Sequence, residues 1–198
     1  RTPNAQGGGA GRRGGCNRWW LPRGNSPSAL ADLAALVLDP AGAPPPTPAA
    51  MALLRRDLPS YAAGHGPVGG HFTADLGAVK GQITHLDRSY LAVQGPPGTG
   101  KTYWGAHFVH ELVLAGKRVG ITAQSHAAID NLLAETERVF AAAGDGEKLD
   151  ALHKDKPRPG GGVPGVVYKN DNKEAAKPSY NVVGGTTWLF AGNHLEAA

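Results

Sequence analysis

Gly95-Pro96-Pro97-Gly98-Thr99-Gly100-Lys101-Thr102 fits the phosphate-cradling pattern G-x-x-x-x-G-K-[ST] at every fixed position. Just upstream, Asp87 and Arg88 lead into the apolar run Tyr90-Leu91-Ala92-Val93, which predicts a buried strand. Downstream, Trp104, Phe108, Val109, Leu112 and Val113 recur at helical spacing. A glycine-rich loop between strand and helix is the setting in which this pattern has a mechanism. Gly95, Gly98 and Gly100 let the backbone curl around a polyphosphate with its amides turned inward. The helix beginning near Gly100 adds its positive N-terminal end to the same anion. Lys101 is expected to reach the β- and γ-phosphates, and the Thr102 hydroxyl to ligate Mg²⁺. Pro96 and Pro97 stiffen the loop, so less entropy is lost when a ligand arrives. The bland alternative is a chance turn in a chain of 29 glycines; the strand before and helix after argue against it.

At 198 residues the chain can bury a substantial core, but its 29 glycines and 16 prolines are unevenly placed. No apolar run approaches the length of a membrane span. The chain opens on Arg1 without the hydrophobic core of a signal peptide, and reads as a fragment or a processed chain. Cys16 is the only cysteine, which excludes an internal disulfide and a thiolate zinc cluster and suits a reducing, cytoplasmic setting. A net charge of +4 permits an acidic partner without pointing to one.

Three regions differ in character. Residues 1–30 carry five arginines and no acid, with Gly7-Gly8-Gly9 and Trp19-Trp20 among them, and are expected to be disordered. The functional alternative is an arginine-glycine arm whose tryptophans stack on bases. Residues 31–86 read as short helices and linker of unclear role, with helical patterns at 30–38 and 49–56 and an unplaced piece at 71–84. Residues 87–198 hold the strong signals. Gly116 is a C-terminal stop, with Lys117 and Arg118 beside the helix end. Val119-Gly120-Ile121-Thr122-Ala123 reads as the next strand. Ser125 then caps a helix carrying Ile129, Leu132, Leu133, Val139 and Phe140 on one face. The alternation of strand and helix predicts an α/β fold with a doubly wound parallel sheet. Residues 144–180, with Gly160-Gly161-Gly162 and four prolines, read as a polar insertion. Asn181 to Ala191 is an apolar run broken by Gly184-Gly185-Thr186-Thr187.

Thr122-Ala123-Gln124-Ser125-His126-Ala127-Ala128-Ile129-Asp130-Asn131-Leu132-Leu133 resembles motif Ia of superfamily 1 helicases, the branch containing the eukaryotic nonsense-mediated-decay helicase. Asn181 to Ala191 resembles the strand and threonine-bearing loop that precede motif II in the same proteins. Ser89 to Gln94, Tyr103, Gly105 and the Gly-Gly-Thr-x-Trp-Leu-Phe-Ala block look most like bacterial proteins that fuse a RecB-like nuclease to such a helicase. The resemblance covers about Asp87 to Ala191 and implies a P-loop, RecA-like motor lobe that uses ATP and Mg²⁺ to move on single-stranded nucleic acid, DNA rather than RNA. It places Gly95 to Thr102 on the nucleotide, with Lys101 as the catalytic lysine. Gln124, Ser125 and His126 fall at the nucleic-acid strand, at a strand's carboxyl end and a helix N-terminus. Ser125 as a plain cap and His126 as an exposed first-turn residue are the bland alternatives. No apolar strand ending in Asp-Glu follows Thr102, so the lobe reads as incomplete, a fragment ending before motif II. The resemblance implies a second motor lobe in the intact parent and leaves an upstream nuclease domain open, and the fragment alone is expected to be inactive. Another P-loop ATPase and a non-catalytic nucleotide- or nucleic-acid-binding module stay open. Gln82 is the nearest glutamine upstream that could read a base.

Overall fold

The computed structural model describes residues 48–191, except 68, 70, 71, 73, 74 and 160, together with Ala31, Ala34 and Leu38. The arginine-glycine segment, Cys16, Trp19, Trp20 and most of the helical pattern at 30–38 lie outside the described residues.

Helix α1 spans Pro48–Arg55, close to the expected 49–56. The unplaced piece before the loop becomes α2, Leu76–Ile83, whose start is set by Asp75 accepting the Gly77 amide. Helix α3 covers Lys101–Leu114. It ends in a Schellman turn: Gly116 is left-handed at φ 70, its amide reaches Val113, and the Lys117 amide reaches Leu112. Strand β1, Val119–Ile121, follows. Helix α4, His126–Ala143, starts at Ser125, whose hydroxyl accepts the Ala128 amide, and closes at left-handed Gly144.

The polar stretch 144–180 is not an excursion from the sheet. It supplies β2, Ala151–His153, and β3, Val166–Tyr168. Helix α5, Asn172–Ala176, then returns the chain to β4, Val182–Gly184, and α6, Thr187–Phe190. All pairings within this sheet are parallel, in the order β1-β4-β2-β3. β4 is therefore threaded between β1 and β2. The strands are only three residues long, and glycines and prolines around them hid two of them from a composition-based reading.

Strand alternation splits the core in two. One face puts Ile121, Ala151 and Val182 against Val109 and Val113 of α3 and Ile129, Leu133 and Phe140 of α4. The other puts Leu152 and Val183 against Ala175 and Leu189 of α5 and α6. Gly184 sits where a β-carbon would come within 2.7 Å of Ile129 Cγ2, which lets α4 lie directly on the sheet.

Arg118 departs from its expected place. Rather than serving the end of α3, its guanidinium donates to the carbonyls of Ala175 and Lys177 at 2.8 Å and of Tyr180 at 3.0 Å. The first two close the end of α5 and the third lies in the loop that follows, and a planar fork can serve several carbonyls at once. Arg118→Ala is expected to cost about 2 kcal/mol in denaturant unfolding, and Arg118→Lys to recover only a fraction of it.

The expected strand at Tyr90–Val93 is a second correction. These residues join no ladder among the described residues, and Val93 is 42% exposed. The run is instead held by its flank: Ser89 Oγ accepts the Ser60 amide at 2.8 Å, and the Tyr90 hydroxyl donates to the Asp57 carbonyl at 2.6 Å. An antiparallel bridge between Tyr61 and Leu86 extends this tie. A short apolar run becomes a strand only where a neighbour completes its backbone hydrogen bonds.

Candidate functional site

The loop from Gly95 to Thr102 turns on its glycines. Gly98 and Gly100 are left-handed, at φ 83 and 79, so neither tolerates a side chain cheaply. At Gly95 the constraint is space: a β-carbon would lie 2.4 Å from Thr99 Oγ1. The Thr99 hydroxyl donates to the Pro96 carbonyl at 2.8 Å. Lys101 Nζ donates to the carbonyls of Gly95 and Pro96 at 2.6 and 2.7 Å, folding the ammonium back over the loop. The first helical bond of α3 runs from the Trp104 amide to the Gly100 carbonyl, so the amides of Lys101, Thr102 and Tyr103 precede it. Gly100 caps the helix without a side chain. Amides, helix end and ammonium converge on one place, an arrangement suited to a polyphosphate.

Two cavities border the loop. One, of about 430 Å³, lies between Leu91–Pro96, Thr99 and Lys101 on one side and Phe72, Val79 and Trp104 on the other. It has the size of a small-molecule site. The other gathers Pro97, Gly98, Gly100, Lys101, Thr102 and Tyr103 with Glu135 of α4. Thr102 is exposed there, with its hydroxyl available to a hard cation such as Mg²⁺. Gln82 borders neither; its side-chain carbonyl accepts the Gly66 amide at 2.9 Å.

Helix α4 packs along α3, and at Gly105 a β-carbon would approach Leu132 to 3.2 Å. The turn that opens α4 holds the second candidate set. Gln124 and Ser125 are exposed, and Ser125 serves as the cap. His126 is not a simple surface residue: its Nδ1 lies 3.0 Å from His153 Nε2 at the end of β2.

Behind that contact is a network that pattern matching on the sequence did not find. His153, fully buried, donates Nδ1–H to Asp130 Oδ1 at 2.8 Å. The Tyr168 hydroxyl donates to the same oxygen at 2.8 Å, and Arg158 bridges Asp130 to Asp155. Burial pushes the Asp130 carboxyl up, but the hydrogen bonds from Tyr168, His153 and Arg158 together hold it below the usual carboxylate range. Burial lowers the His153 imidazole, more than its Asp130 hydrogen bond raises it, which favours the neutral ring. The members come from α4, β2, β3 and the loop between the strands. Their one sequence signal is that Asp130 falls one helical turn after His126.

No described helix is long and apolar enough to cross a membrane. No curated protein and no solved structure matches the chain. Residues 75–153 match a family model described as an AAA domain, a segment that takes in the phosphate loop, α3, β1, α4 and β2. With the parallel sheet and flanking helices, that match makes this an α/β P-loop NTPase fold carrying a nucleotide-binding module.

Proposed function

We propose that the chain is the ATP-binding part of a superfamily 1 helicase motor, coupling Mg²⁺-dependent ATP hydrolysis to movement on single-stranded nucleic acid. The observation that carries this reading is the grouping of Lys101 Nζ, the left-handed Gly98 and Gly100 and the open amides of α3 in one loop. The AAA-domain match over 75–153 and the motif Ia resemblance at Thr122 to Leu133 support the helicase assignment over other P-loop enzymes.

In this reading Gly95 to Thr102 hold the phosphates, with Lys101 countering charge that builds on them and Thr102 fixing Mg²⁺. The metal neutralises phosphate charge when bound. Gln124 and Ser125 meet the nucleic-acid backbone at the carboxyl end of β1, with His126 beside them. A second lobe belongs to the same proposal, resting on the resemblance alone.

Anisotropy of labelled single-stranded DNA and RNA, across a salt series and with or without Mg·ATP, tests it. Binding that weakens with salt, shifts with Mg·ATP and falls about tenfold in Gln124→Ala is expected, with DNA preferred. Binding that ignores ATP and survives Lys101→Ala would identify a nucleic-acid-binding module without a motor.

A further inference from the structure

We propose that His126, His153 and Asp155 form a binding site for one divalent cation of the zinc class, at the carboxyl end of β2 beside the first turn of α4. Among the described residues this is the one group of three metal-ligating side chains whose ligand atoms all lie within 4.8 Å of one another. His126 Nδ1 is 3.0 Å from His153 Nε2 and 3.7 Å from Asp155 Oδ2. Ligand atoms at zinc bond lengths in a tetrahedron stand roughly 3.3 Å apart, a value these two gaps bracket.

Orientation supports the site as much as distance does. The Asp130 carboxylate can only accept, so His153 carries its proton on Nδ1 and turns the Nε2 lone pair toward His126. A carboxylate behind a ligating histidine fixes ring and tautomer in this way at many zinc centres. Asp130 is itself held by Arg158 and Tyr168, so the ring is set by three elements rather than by one rotamer.

Asp155 is held at both oxygens: Oδ1 accepts the Lys156 amide at 2.8 Å, and Oδ2 accepts from Arg158. The remaining lone pair of Oδ2 is the one offered to a cation. Arg158 opposes a nearby positive charge, and this sets the affinity below that of an all-thiolate site. Two imidazoles and one carboxylate select a borderline cation over Mg²⁺ or Ca²⁺, which prefer oxygen alone. His126 is 40% exposed, so a fourth position opens to solvent. A bound ion would tie the β1–α4 turn to the β2–β3 loop. It would also withdraw His126 from nucleic acid; that consequence rests on the proposed function, whereas the site does not.

Chelator-stripped full chain, without nucleotide, is titrated with Zn²⁺ by calorimetry and with Co²⁺ by visible absorption. One equivalent of Zn²⁺ per chain is expected, with a Co²⁺ spectrum of tetrahedral intensity. His126→Ala and Asp155→Asn should each weaken Zn²⁺ by more than about tenfold with the circular dichroism unchanged, and Asp130→Asn by about tenfold through His153. Absence of saturable uptake, or uptake that both His126→Ala and Asp155→Asn leave unchanged, would overturn the site; the His126–His153 contact would then be an ordinary hydrogen bond. Because no nucleotide is present, failure here leaves the phosphate-loop assignment standing.

Discussion

Lys101→Ala is expected to lower Mg·ATP affinity by on the order of a hundredfold and to abolish any hydrolysis. The ammonium already makes two short hydrogen bonds to loop carbonyls, at 2.6 and 2.7 Å, and so stands where phosphate oxygens would be cradled. Hydrogen bonds to charged groups contribute about 1.5–3 kcal/mol each, and about 2.8 kcal/mol corresponds to a hundredfold. The fold should survive the change, because Lys101 is exposed at the start of α3 and belongs to neither core cluster. Calorimetric titration with Mg·ATP, paired with a thermal melt of the nucleotide-free chain, separates the two effects. Equal affinity in variant and parent would mean that the loop is not the nucleotide seat. A lower melting temperature without nucleotide would show that the ammonium also holds the loop together.

Phe140→Ala should produce the largest loss of stability, about 3–5 kcal/mol. Phe140 is fully buried in the cluster that joins α3, α4 and the sheet, and its ring meets His110 edge-on at 4.7 Å between centroids. It also occupies the last turn of α4, and the Asp145 amide that bonds its carbonyl belongs to the turn carrying His110's partner, Asp145. Truncation therefore leaves a cavity where three elements meet, beside a histidine that loses its packing face. Against a total stability of about 5–15 kcal/mol, such a loss removes a large share of the folding free energy. Urea denaturation should show a lower midpoint at an unchanged slope. A cost below about 1 kcal/mol would mean that α3 and α4 do not converge on this ring. Phe140→Leu, which keeps most of the volume, should cost well under half as much.

Local chemistry made some of the structure legible in advance. Gly116 and Ser125 were readable as helix boundaries because each acts on backbone groups within a few residues. The apolar spacing along α3 and α4 likewise needs only one helix to be seen, and Ile129, Leu133, Val139 and Phe140 are buried as it implies. β2 and β3 were not legible. Three-residue strands in a stretch of glycine, proline and charge carry too little pattern, and their partners lie elsewhere in the chain. The reverse error at Tyr90–Val93 has the same origin: the apolar run is there, but the pairing strand is a non-local fact. Arg118 belongs with these, since its three carbonyl partners lie 57 to 62 residues away.

The amino-acid sequence by itself determined the left-handed glycine turn before α3, the helix that follows it, its stop at Gly116 and the start of α4 at Ser125. Each depends on φ angles, amide geometry and side-chain caps acting over a few residues. Only the tertiary structure decided that β4 lies between β1 and β2, that the polar stretch builds half of the sheet, and that His126 meets His153. Those outcomes depend on parallel strand pairing and on burial, which bring together groups between 23 and 38 residues apart in the chain around Asp130. No local pattern encodes such contacts, because their free energy appears only once the sheet has formed.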